Sequence, residues 1–159
     1  MKYRTGIGYD VHQLRDGLPF YLGGVKVEHT KGAVGHSDAD VLIHAICDAL
    51  LGAATVGDSG KHFPATDMKY KGIDSKILLK ETYELVKKKG YVIENIDTVL
   101  CLQKPKVAPY LPLMKTTLSN VLGINEDDIS IKATTTEHLG FEGREEGVSA
   151  LANVLIKTE

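Results

Sequence analysis

A chain of 159 residues, 43% hydrophobic and 25% charged, is long enough for one compact domain with a core of its own. Its net charge of -2, with no basic run longer than Lys87-Lys88-Lys89, argues against a nucleic-acid partner. No apolar stretch approaches the ~20 residues needed to cross a bilayer, and the opening MKYRTGIGYD lacks the layout of a signal peptide, so a cytoplasmic protein without a membrane partner is expected. Cys47 and Cys101 sit among apolar neighbours with no CxxC pairing, which suits buried thiols in a reducing compartment.

Residues 3 to 29 read as extended: Tyr3 to His12 forms a first strand, and Phe20 to Val27 a second strand or hairpin, with glycines marking bends or close approaches. From Ser37 or Asp38, as an N-cap, Leu42, Ile46, Ala49, Leu50 and Ala53 recur at helical spacing and predict an amphipathic helix. Residues 55 to 73 lose periodicity and gather Gly57, Asp58, Gly60, His62, Pro64, Thr66 and Asp67, a connection long enough to cover a site. A second helix is expected after a cap near Asp74 or Ser75, carrying Leu78, Leu79, Leu85 and Val86 and ending in lysines before Gly90. Ile96 to Leu102 reads as a buried strand, Leu111 to Leu122 as a third helix closed by Gly123, and Ile129 to Thr136 as another strand. The tail Val148 to Ile156 fits strand or helix; strand is preferred, because a sheet of the other strands needs a closing member. The sum is a single α/β (α+β) domain, a mixed β-sheet covered on one face by helices.

Asp10 and His12 are two apart, so in a strand both point to one face and can share an ion. His44 lies on a flank of the first helix outside its apolar stripe, with Asp40 and Asp48 at i-4 and i+4 as candidates to orient its imidazole. Two histidines and a carboxylate match a catalytic zinc site with an open position, whereas structural zinc sites are usually closed by four ligands. His36 and Ser37 stand before the helix, where free N–H groups can take a phosphate, although helix capping alone explains a serine there. Thr134-Thr135-Thr136-Glu137 ends a strand with three hydroxyls and a carboxylate, a set suited to phosphate oxygens and a hard cation, though threonines are also ordinary strand residues. Between Gly140 and Gly147, Arg144 could grip a phosphate bidentately or sit in a solvated turn.

Taken together, Asp10-Val11-His12, the stretch His36 to His44, the Gly57 to Pro64 loop and Lys132 to Glu137 resemble the 2-C-methyl-D-erythritol 2,4-cyclodiphosphate synthase family over essentially the whole chain. The resemblance implies a step of the non-mevalonate isoprenoid pathway, in which a CDP-methylerythritol 2-phosphate is cyclised and CMP leaves. It assigns Zn²⁺ to Asp10, His12 and His44, and Mg²⁺ or Mn²⁺ to Glu137 with the substrate phosphates. It gives His36 and Thr135 transition-state roles and places Asp58 and Gly60 toward the methylerythritol. It makes Phe63, Pro64, Ala65, Thr66 and Asp67 a covering loop and sets the stretch Leu102 to Ala108, with Leu102, Lys106, Val107 and Ala108 in contact, around the cytidine. Ser37, Thr134, Thr136, Phe141 and Arg144 stand nearby. Where the family commonly has an acidic residue this loop has Ala65, which leaves backbone contacts only. A homotrimer with sites shared between subunits is implied too. The leading rival is a zinc hydrolase with Asp40 or Asp58 as base; it gives no reason for the threonine-rich segment. A nucleotide-binding oligomer with a structural metal is the non-enzymatic alternative.

Overall fold

The computed structural model describes residues 1–159. Strand β1 (Tyr3–Asp16) runs unbroken for 14 residues, longer than expected, and its glycines make close approaches rather than bends. A Cβ on Gly6 would stand 1.9 Å from the carbonyl oxygen of Ala49, and one on Gly8 1.9 Å from that of Ala45. Helix α1 (Val41–Ala53) can therefore lie directly against the strand, backbone to backbone. That contact sets His44 of the helix beside Asp10 and His12 of the strand.

The expected hairpin consists of β2 (Tyr21–Leu22) and β3 (Val25–Lys26), a small sheet of its own, followed by β4 (Lys31–Ala33). Helix α1 is capped by Asp40 and not by Ser37 or Asp38. The buried Asp40 carboxylate accepts hydrogen bonds from the backbone N–H of Ile43, Gly23 and Gly24, so it ties the helix start to the hairpin. The connection at 55 to 73 contains a short helix α2 (Ser59–His62) and a 3-10 turn at Met68–Tyr70, each begun by an aspartate cap, Asp58 and Asp67.

Helix α3 (Ser75–Lys88), capped by Asp74, leads into β5 (Tyr91–Cys101), which begins directly after Gly90 and so five residues earlier than the buried run suggested. Helix α4 (Leu111–Leu122) ends on Gly123 in the left-handed conformation, as expected. Strand β6 (Ile129–Thr134), the helical turn α5 (Gly140–Gly143) and β7 (Gly147–Thr158) complete the chain.

The tail is indeed a strand, but it fills the middle of the sheet instead of closing an edge. The order is β4-β1-β7-β5-β6, antiparallel except for the parallel β5–β6 pair. Val148, Ala150, Ala152, Val154 and Ile156 point from this central strand into one core shared with α1, α3 and α4. The opposite face of the sheet is bare: Ile7 is 73% exposed, with Tyr9, Val11 and Leu151 exposed beside it. Cys47 is buried in the core, whereas Cys101 points toward the bare face and is only half-buried.

Candidate functional site

Asp10 and His12 project from the helix side of β1 because side chains two apart share a face, and His44 reaches them from the second turn of α1. The Asp10 Oδ2 lies 2.8 Å from His12 Nε2 and 3.2 Å from His44 Nδ1, and the two histidine nitrogens are 3.2 Å apart. Metal–ligand bonds of about 2.0–2.1 Å in a tetrahedron put neighbouring ligand atoms about 3.3 Å apart. The three atoms thus already have the spacing of three corners around one small ion, and the donor set of two imidazoles and a carboxylate fits zinc. All three side chains are partly buried, yet one side stays open to a cavity of about 250 Å³.

The ring nitrogens that face away from the cluster have partners as well. His12 Nδ1 is 2.9 Å from the Val34 carbonyl oxygen, while His44 Nε2 is 3.0 Å from Ser37 Oγ and 2.9 Å from Ser75 Oγ. Neither Asp40 nor Asp48 orients His44, contrary to expectation. Asp40 is spent on the helix cap, and Asp48 accepts a hydrogen bond from the Ser59 N–H.

Burial works against charge on Asp10, but the hydrogen bond from His12 and the closeness of the His44 ring outweigh it and bring the carboxyl down to about 2. Burial likewise opposes a proton on His12, and the hydrogen bond and charge of Asp10 overcome it, so His12 is raised above its ordinary value.

The cavity over the cluster is lined by His36, Ser37, Gly60, Phe63 and Ala65 among others, which brings the expected covering loop to the metal-ligand trio. His36 Nε2 is 3.0 Å from the Asp67 carbonyl oxygen and ties that loop to the segment before α1. Asp58 is exposed and caps α2 through Lys61 N–H. The helix end lies further along than expected: α1 starts after Asp40, not after Ser37 or Asp38, and the Asp40 carboxylate already accepts the Ile43 N–H.

A second cavity, of about 650 Å³, collects Leu102, Gln103, Lys106, Val107, Ala108, Thr134 and Thr135, and adds His29 and His138, which were not expected there. Nothing in their local sequence marks these two; they arrive from separate loops. The two cavities share no lining residue. They open at the same end of the sheet, since Val11, Ser149 and Cys101 stand in one row across β1, β7 and β5, about 10 Å from first to last.

Thr136 and Glu137 lie in the turn after β6, with Glu137 exposed at φ 54 and its N–H donating to Thr135 Oγ1. Phe141 packs on Gly147, and Arg144 is held by Glu146 at 2.8 Å, so the flexible glycine segment imagined there is a helical turn with its arginine engaged.

Comparison with known proteins gives this geometry a family. The YgbB family model matches residues 3–157. A 2-C-methyl-D-erythritol 2,4-cyclodiphosphate synthase of Bacteroides thetaiotaomicron is 59% identical over 159 residues, all of both chains. Among solved structures, a bifunctional IspDF from Campylobacter jejuni superposes with a TM-score of 0.96 at 42% identity, over 99% of this chain and 43% of that one. A Plasmodium falciparum IspF in complex with CDP superposes at 0.87 and 34% identity, over 99% of this chain and 97% of that one. The chain belongs to the YgbB family, among relatives named 2-C-methyl-D-erythritol 2,4-cyclodiphosphate synthase.

Proposed function

We propose that the chain is a 2-C-methyl-D-erythritol 2,4-cyclodiphosphate synthase, a cytoplasmic enzyme of the non-mevalonate isoprenoid pathway. The observation that carries this reading is the Asp10, His12 and His44 trio, spaced for one ion and open to a cavity, in a chain 59% identical to a protein of that name. Its substrate is 4-diphosphocytidyl-2-C-methyl-D-erythritol 2-phosphate. An oxygen of the 2-phosphate bonds to the β-phosphorus, the bond from that phosphorus to the bridging oxygen breaks, and CMP departs with that oxygen. No protein nucleophile is required, so the chain's work is to position the diphosphate and neutralise its charge.

Asp10, His12 and His44 would hold Zn²⁺, and Glu137 would join the substrate phosphates in holding Mg²⁺ or Mn²⁺. Bound there, the two cations supply neutralisation of the charge that builds on the phosphoryl oxygens and the departing CMP. His36 and Thr135 donate to the transferring group, and Ser37, Thr134 and Thr136 bind phosphate oxygens nearby. Asp58 and Gly60 hold the methylerythritol, while residues Phe63, Pro64, Ala65, Thr66 and Asp67 cover it and keep water out. Leu102, Lys106, Val107 and Ala108 enclose the cytidine, a placement supported by their common cavity and by the CDP named in the Plasmodium falciparum complex. Phe141 and Arg144 complete the surroundings; Arg144 must first leave Glu146.

The working assembly is a homotrimer in which the trio's cavity on one subunit meets the nucleotide cavity of its neighbour. Two separate cavities at one end of the sheet and a bare apolar sheet face support that arrangement. The experiment is to incubate the protein with the CDP-methylerythritol phosphate and Mg²⁺ and follow phosphorus resonances. Cyclic diphosphate and CMP are expected; unchanged substrate at full metal loading would remove the enzymatic reading.

A further inference from the structure

His44 presents Nδ1 to the trio, and its outward Nε2 lies near two hydroxyls, Ser75 Oγ at 2.9 Å and Ser37 Oγ at 3.0 Å. A hydroxyl has one proton to give. That of Ser75 goes to the Asp38 Oδ1, through a short hydrogen bond, while Asp38 Oδ2 accepts the Ser75 backbone N–H at 2.9 Å and Oδ1 also accepts the Asp40 N–H at 3.1 Å. With its proton committed to a carboxylate that is itself fixed by two backbone donors, Ser75 Oγ can only accept from His44. The imidazole then carries its proton on Nε2 and leaves the Nδ1 lone pair facing Asp10 and His12.

Ser37 is the weaker candidate for this role. Its Oγ is partly open to the cavity and already accepts the Ala39 N–H, so no carboxylate settles which way its own proton points. Ser75, by contrast, is fully buried at the first turn of α3, where a helical residue has no need of a hydroxyl because Asp74 already supplies the cap.

We propose that Ser75, held by Asp38, is the positioning residue that orients His44 and fixes its tautomer for metal binding. The chain Asp38–Ser75–His44 does through one hydroxyl what a carboxylate commonly does directly behind a zinc-bound histidine. It links the segment before α1 to the start of α3, so the metal site is also a joint between two helices. The inference rests on the zinc reading of the trio.

Zinc affinity of the full chain, read by competition with a chromophoric chelator, tests it. Ser75→Ala is expected to weaken zinc binding about 10-fold or more, and to alter the visible absorption of the cobalt-loaded protein, whereas Ser37→Ala moves both less. Affinity unchanged in Ser75→Ala, or lost more in Ser37→Ala, would overturn the assignment. A second measurement needs no variant: long-range nitrogen–proton NMR on histidine-labelled wild-type protein should show His44 protonated on Nε2, and a proton on Nδ1 would sink the proposal. Wild-type protein that takes up no zinc would remove the metal reading itself, and this inference with it, while a zinc-binding wild type with an indifferent Ser75→Ala removes only the inference.

Discussion

The carbonyl oxygen of Ala45 sits where a Cβ on Gly8 would come within 1.9 Å of it. This contact sets the spacing between β1 and α1, and that spacing sets the distance from Asp10 and His12 to His44. Gly8→Ala must push helix from strand, since backbone cannot yield as a flexible side chain can. We expect a loss of about 3 kcal/mol in denaturant unfolding together with loss of stoichiometric zinc. A variant that keeps both would mean the strand–helix contact does not set the site.

His44→Ala should separate metal binding from folding. The side chain is 19% exposed and packs at the edge of the core, so its removal leaves a folded protein with wild-type far-ultraviolet circular dichroism. Bound zinc and turnover should both disappear. Zinc content equal to wild type, by elemental mass spectrometry, would take His44 off the ligand set.

The trio also predicts opposite pH slopes for the metal-free and metal-loaded protein. His12, raised above its ordinary 6.5 by Asp10, stabilises the metal-free fold fully below pH 6.5 and loses that contribution as pH climbs through the raised value. Asp10, lowered from 3.8 to about 2, contributes above 3.8 and loses it as pH falls through about 2. The metal-free fold therefore draws most from the pair between those limits. Zinc needs the His12 Nε2 lone pair, so its uptake releases a proton and strengthens as pH rises from about 6 to about 8. Thermal unfolding with and without zinc across that range should show a zinc-induced gain that grows with pH; a flat gain would contradict proton competition at His12.

The proposed homotrimer requires the bare sheet face as its interface. An aspartate placed among Ile7, Tyr9, Val11 and Leu151 would be stranded in an apolar interface but solvated in a lone subunit. Wild type should sediment as a trimer, and Ile7→Asp as a folded monomer with lowered activity, because the two cavities no longer meet. A trimeric Ile7→Asp would exclude this face as the interface.

Much of the site was legible because it rests on short-range periodicity. The i, i+2 spacing of Asp10 and His12 needs only a strand, and the position of His44 needs only a helix. What orients His44 was not legible: Ser75 is 31 residues away and comes near only when α3 packs on α1, so the local neighbours Asp40 and Asp48 looked better than they are. The helix start was misplaced because Ser37, Asp38 and Asp40 are all good caps; Asp40 takes the Ile43 N–H, and its carboxylate is held there by Gly23 and Gly24 of a hairpin remote in sequence. Alternation in β1 shows two different faces but cannot say which one the chain's own helices cover. The central place of β7 was likewise hidden, because a strand's apolar content does not say which strands flank it.

In the proposed reaction the substrate's own phosphate attacks and water is excluded. Turnover in water enriched in heavy oxygen tests it most directly, with mass spectrometry of both products. Cyclic diphosphate and CMP are both expected to be free of label. Label in either product, or a linear diphosphate, would show water as the nucleophile and contradict it.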